Sequence, residues 1–207
     1  MRSATRRAWM RLPSGGRLDL ANPNHLAWTD TDLAVRLSRT YRWGGESTWA
    51  VPLSVAQHSL TVLELRKQAA TGQALTAQEA RRELLHDADE AFLGFDCISP
   101  LKELLGDAFV TVSGRLLSAV WRRYSLAPWT PDDYAVHKHA DLTAAACEAF
   151  YCVGWSLEEI RRDLEISSPV LPTDPLASIY DCRPWEPWPA DVAAERFLTE
   201  LVLIGEC

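Results

Sequence analysis

The 207-residue chain lacks the usual signatures of a stapled, secreted or membrane-bound protein. Its cysteines (Cys97, Cys147, Cys152, Cys182 and Cys207) are odd in number and contain no C-x-x-C pair. That argues against a disulfide framework and against a cysteine zinc knuckle. No run approaches the roughly 18 consecutive apolar residues of a membrane span. The first residues are basic (Arg2, Arg6, Arg7) but no apolar segment follows, so no secretory signal is expected. Basic residues are in deficit, 21 Lys and Arg against 28 Asp and Glu, for a net charge of −7. A broad surface for long nucleic acid is thereby disfavoured, although a small cationic pocket is not. No segment has a convincing strand period, and no internal repeat or low-complexity tract occurs. These absences point to a reduced cytoplasmic protein without membrane or long nucleic-acid partners.

What is present suits one all-α domain. The chain is 47% hydrophobic and 24% charged, an ordinary globular balance. Helical periodicity marks 31–40, 53–68, 76–92, 101–124 with a break near Gly106, 134–152, 156–164 and 190–203. Thr29-Asp30, Thr76 and the Ser156-x-x-Glu159 box supply helix starts, and the Asp132-Asp133 pair is expected to cap the helix that follows it. Residues 1–50 are rich in turn formers, including Pro13-Ser14-Gly15-Gly16. A tract at 169–189 holds six prolines and cannot be regular helix. Nine tryptophans are the compositional oddity.

Chemistry gathers around His86-Asp87, set in the apolar run Leu84-Leu85-His86-Asp87-Ala88. Two chargeable groups beside a buried stripe need partners, because an unpaired buried carboxylate is very costly. A divalent metal satisfies both, since imidazole and carboxylate are good ligands for one. Two ligands are too few, so others must come from neighbouring helices, with His58 and Asp141 as candidates. Glu90 lies four residues after His86 and three after Asp87, on the same face of a continuous helix. An exposed His58 and a solvent-facing Asp141 are equally compatible with spacing alone.

This pattern, a His, a His-Asp pair and a distant Asp on successive helices, resembles the HD-domain metal-dependent phosphohydrolases. Within that superfamily the chain is most similar to the nucleotidase branch that includes YfbR-like 5′-deoxynucleotidases and DatZ-type phage dATP triphosphohydrolases. The matching features are Arg42-Trp43 ahead of the first His and Glu90 in His86-Asp87-Ala88-Asp89-Glu90. Ser99-Pro100-Leu101-Lys102, read as a loop, and Lys138 three residues before Asp141 complete the match. The segment 14–20 followed by Asn22-Pro23 looks like phage and prophage members. The likeness covers about residues 10–155, with a domain core over about 26–155 and an arm and helix at 156–207 outside it. One departure stands out: Phe95 intervenes in Gly94-Phe95-Asp96 where the branch has Gly-Asp, with its Asp facing the sugar.

The resemblance implies an HD helical bundle that hydrolyses the 5′ phosphate ester of (deoxy)nucleotides. The product is phosphate from a dNMP or triphosphate from a dNTP such as dATP. It implies one divalent ion (Co²⁺ or Mn²⁺, with Mg²⁺ or Zn²⁺ possible) held by His58, His86, Asp87 and Asp141. Glu90 is expected to activate the attacking water or pass on its proton. Arg42, Lys102 and Lys138 are expected to neutralise phosphate, with Trp43 and Asp96 against base or sugar. Small members of the family are often dimers or larger. Two rivals are a non-catalytic nucleotide-binding protein of the same fold and a di-iron oxygenase, which needs His137 or His139 as an extra ligand. His137 and His139 lie two apart and cannot share a helical face, so at least one is expected behind the site or at the surface.

Overall fold

Helix starts fall where the sequence supplies a side-chain acceptor. In the computed structural model, which describes residues 8–70, 72 and 74–206, the chain is all-α apart from one small hairpin. Arg2, Arg6, Arg7 and Cys207 lie outside the described residues. Helix α1 (Asp30–Ser38) opens on a capping box in which Thr29 accepts from the Asp32 amide and the Asp32 carboxylate accepts from that of Thr29. Helix α2 (Val55–Ala69) is capped by Ser54, and α3 (Ala77–Leu84) by a Thr76/Glu79 box. Helix α6 (Pro131–Glu148) is capped by Thr130 instead of Asp132-Asp133. The Thr130 hydroxyl accepts from the Asp133 amide, and the acidic pair lies in the first turn, where it favours the helix dipole. Helix α7 (Leu157–Arg162) uses the Ser156/Glu159 box.

Three features differ from the periodicity. The segment expected as one helix over 76–92 is α3 followed by a turn at 85–89 and a short α4 (Glu90–Leu93). The Glu83 carbonyl bonds the His86 ring nitrogen Nδ1 at 2.8 Å, drawing that imidazole back over the end of α3 as the helix stops. Ser99-Pro100-Leu101-Lys102 is no loop but the start of α5 (Ser99–Tyr124), as suits a proline in a first turn. The N-terminal segment contains an antiparallel hairpin, β1 (Trp9–Arg11) and β2 (Arg17–Asp19), with Met10 opposite Leu18. Its strands are too short to show a period, although the turn between them was readable. The break in α5 does fall at Gly106, whose φ of 64° and ψ of −156° favour glycine.

The main core is built by α1, α2, α3 and the final helix α9 (Ala190–Glu206), with Leu33, Leu37, Leu63, Leu84, Phe92 and Phe197 fully buried. The C-terminal region is therefore structural. Gln57 on α2 grips the proline-rich arm by its backbone, accepting from the Trp188 amide at 2.8 Å and donating to the Glu186 carbonyl at 3.0 Å. Asp174 accepts from the Leu176 and Trp185 amides, and the Trp185 ring stacks on Tyr151 at 5.1 Å. The arm, interrupted only by the four-residue α8 (Ala177–Tyr180), wraps its own core and pins α2 from behind.

Candidate metal centre

Three segments deliver the candidate ligands. His58 lies one turn into α2, fully buried, because Ser54 starts that helix just before it. His86 and Asp87 come from the turn after α3, and Asp141 from the middle of α6. The Nε2 atoms of His58 and His86 are 3.3 Å apart. Asp87 Oδ2 lies 3.1 Å from His86 Nε2 and 3.6 Å from His58 Nε2, and Asp141 Oδ1 lies 3.4 Å from His58 Nε2. Among the described residues, His58, His86 and Asp141 form a group whose ligand atoms all lie within 4.8 Å of one another, able to hold a metal ion. Asp87 borders it from the sequence neighbour of His86.

The far side of each imidazole is fixed. His86 Nδ1 faces the Glu83 carbonyl, which only accepts, so that nitrogen carries the hydrogen. His58 Nδ1 lies 2.7 Å from Glu148 Oε1, and Arg42 Nε donates to the other Glu148 oxygen at 2.8 Å. With Nδ1 carrying the hydrogen, each ring in its neutral form turns a bare Nε2 lone pair toward the other across 3.3 Å. Two acceptors at that distance require a cation or a proton between them. With the carboxylates of Asp87 and Asp141 alongside, the donor set fits a divalent transition ion.

Charge is arranged to the same end. Burial and Arg42 act to lower the His58 pKa, but Glu148 and Asp141 outweigh them and push it up to about 9. Burial would raise Asp87 and Asp141, yet the facing imidazoles hold both well below the usual carboxylate range. Burial opposes ionisation of Glu148, and Arg42 and His58 overcome it and pull its pKa down. Glu90 goes the other way: burial, then Asp87 and Asp96, raise its pKa well above the ordinary value, against Arg42.

The remaining expected residues surround this centre. Glu90 no longer shares a helical face with His86, since the turn intervenes, but it remains close. Its Oε2 is buried without a hydrogen-bond partner, and Oε1 lies 3.9 Å from Lys102 Nζ at the start of α5. Burial would lower the Lys102 pKa, but Asp87 and Glu90 raise it, so the ammonium persists. Arg42 is nearly buried; NH1 lies 3.9 Å from Asp87 and 3.8 Å from Asp96, which brings Asp96 to the site through that guanidinium. Lys138 donates to Asp141 Oδ2 at 2.6 Å. The side chains of Asp87 and Asp141 are 22% and 16% exposed, so the centre reaches solvent at these two carboxylates. Trp43 packs partly buried against the cluster of Ala145, Ala146, Ala149, Ile160 and Ile166, with the Arg42 guanidinium 5.8 Å from its ring. His137 is buried behind His86, its Nδ1 2.7 Å from Glu83 Oε2, and His139 is exposed.

Two contributors escaped the sequence reading. Glu148 lies two helical turns after Asp141, so the spacing alone places it on the same face of α6. Glu83 binds His86 through its carbonyl, while its carboxylate accepts from Arg66 Nε at 2.8 Å and from His137. The carbonyl contact leaves no trace in residue type, and the i+3 step from Glu83 to His86 was its only signal.

No family model matches the chain. A protein of Rhodobacter capsulatus described as uncharacterized is 38% identical over 167 residues, which cover 80% of this chain and 84% of that relative. An alignment of that length takes in most of both proteins, and the chain belongs to the same family as this Rhodobacter capsulatus protein.

Proposed function

We propose that the protein is a divalent-metal-dependent phosphohydrolase of the HD-domain type, acting on the 5′ phosphate ester of (deoxy)nucleotides. One observation carries this function: His58, His86, Asp87 and Asp141 converge from three separate segments, with both imidazole Nε2 atoms facing each other. The motif order, with Arg42, Glu90, Lys102 and Lys138 around it, supports the nucleotidase branch. Mn²⁺ or Co²⁺ suits the mixed nitrogen and oxygen donors, and Mg²⁺ or Zn²⁺ is compatible. When bound, such an ion supplies Lewis acidity toward a phosphoryl oxygen and toward water.

The chain's own residues do the rest. Lys102 beside Glu90 and Lys138 beside Asp141 attract the phosphate dianion, while Arg42 holds fixed positive charge near Asp87. Glu90, whose pKa is raised by burial and then by Asp87 and Asp96, is the group to take up or pass on a proton beside the reacting phosphate. Mono- and triphosphates are cut at the same bond to the 5′ oxygen, and the phage-like N-terminal segment favours deoxynucleotides, including dATP. Four cysteines among the described residues are free, which suits a reducing cytoplasm.

A panel of NMPs, dNMPs and dNTPs with several divalent ions, scored for phosphate against triphosphate, tests the function. Metal-dependent release from at least one deoxynucleotide, abolished by a chelator, is expected. No release from any member with any ion would overturn it.

A further inference from the structure

The turn that carries His86 has no helix of its own to aim the ring. Helix α3 ends at Leu84, and the far side of that imidazole is held by the Glu83 carbonyl, 2.8 Å from Nδ1. What fixes this carbonyl therefore fixes the ligand. The Glu83 side chain is 1% exposed and takes a partner from each of two neighbouring helices. Oε1 accepts from Arg66 Nε of α2 at 2.8 Å, and Oε2 accepts from His137 Nδ1 of α6 at 2.7 Å. The His137 ring is held in turn. It stacks on Trp129 at 4.5 Å, and Arg82, paired with Asp133 at 3.1 Å, lies 4.2 Å from the Trp129 ring centre.

Both partners of Glu83 stand on elements that deliver candidate ligands. Arg66 is on α2 with His58, and His137 is on α6 one turn before Asp141, at the four-residue spacing that shares a helical face. Glu83 itself precedes His86 by three residues. One buried carboxylate thus ties together the three segments whose ligand atoms converge. The ligands cannot supply that spacing themselves, because the neutral His58 and His86 rings set two bare lone pairs 3.3 Å apart. Groups that repel without an ion must be held by the structure around them. We propose that Glu83 is a positioning residue for the metal centre: through Arg66 and His137 it sets the spacing of the segments that bear His58, His86 and Asp141. The inference rests on the metal centre of the proposed function and goes beyond it in assigning the residues that hold the ligands in register.

Calorimetric titration of the chelator-treated full chain with Mn²⁺, together with the visible absorption of the Co²⁺-loaded protein, tests it. Glu83→Gln keeps the shape, but its single oxygen can serve Arg66 or His137 and not both. His137→Leu removes the donor and keeps much of the bulk. Each should lower Mn²⁺ affinity about 10- to 100-fold and alter the Co²⁺ spectrum. His137→Asn, whose amide donates at nearly the reach of Nδ1, should recover most of the affinity and the wild-type spectrum. Far-UV circular dichroism checks folding, and should His137→Leu fail to fold, Glu83→Gln decides alone. Wild-type affinity and spectrum in Glu83→Gln, or in folded His137→Leu, would overturn the inference and leave the metal centre standing. So would a His137→Asn as weak as folded His137→Leu, which would make His137 a packing residue. A wild type that takes up neither ion would instead overturn the metal centre, and the inference with it.

Discussion

Glu148 links the two halves of the centre at the scale of single residues. One carboxylate oxygen faces the His58 ring and the other takes the Arg42 guanidinium, so one side chain orients a candidate ligand and a candidate phosphate-binding cation. Glu148→Gln keeps the shape but removes the charge that both partners use. Calorimetric titration with Mn²⁺ should show affinity reduced about 10- to 100-fold, as expected for loss of an outer-shell carboxylate. Unchanged affinity would make Glu148 a packing residue only. Asp89 offers a separate test. Burial raises its pKa from 3.8 to about 6, against a hydrogen bond from Ser113 and with Asp87 adding to the rise. The folded state then holds a proton that the unfolded state has released between those two values. Stability from this group is therefore present below pH 3.8 and lost as pH rises through about 6. The loss amounts to ~3 kcal/mol. In chelator-treated protein, denaturant unfolding should show Asp89→Asn less pH-dependent than wild type between pH 4 and 7. Parallel stability curves would contradict this. The convergence of His58, His86 and Asp141, which could hold a metal ion, was legible because imidazole and carboxylate inside apolar runs demand partners. Glu148 and Glu83 were not singled out, because their partners lie on other elements or involve a backbone carbonyl.

At the scale of elements, caps were more legible than continuity. Ser156/Glu159 and Thr76/Glu79 are local boxes whose hydrogen bonds span three residues, and the spacing locates both. The break between α3 and α4 was hidden because apolar Leu84, Leu85, Ala88, Ala91 and Phe92 stay buried through the turn. Periodicity reports burial, and burial continues where the helix does not. The proline-rich arm was legible as non-helical, but its docking site was not, because a glutamine amide on α2 supplies it. Gln57→Ala removes one acceptor and one donor from buried arm backbone, at a cost of ~1–3 kcal/mol. Limited chymotrypsin digestion should then show faster cleavage after Trp185. Equal digestion rates would mean that Asp174 and the Tyr151–Trp185 stack hold the arm without Gln57.

For the whole molecule, the low count of basic residues now has a spatial meaning. In a chain of net charge −7, Arg42, Lys102 and Lys138 stand among the carboxylates of Asp87, Glu90, Asp96, Asp141 and Glu148, and the proposed function gives these three cations a small phosphate to bind. The tryptophans divide in the same way. Trp28 and Trp188 belong to the main core, Trp185 to the arm's docking and Trp43 to the smaller cluster around Ala145 and Ala146 of α6. The central claim is that one ion, held by His58, His86, Asp87 and Asp141, is required for phosphate-ester hydrolysis. Metal content and deoxynucleotide hydrolysis, measured together on wild type and Asp87→Ala after loading with Mn²⁺ or Co²⁺, test it most directly. The account predicts about one ion per wild-type chain and hydrolysis abolished in the variant with its helical dichroism retained. Undiminished turnover in Asp87→Ala, or close to two irons per wild-type chain as isolated, would contradict it.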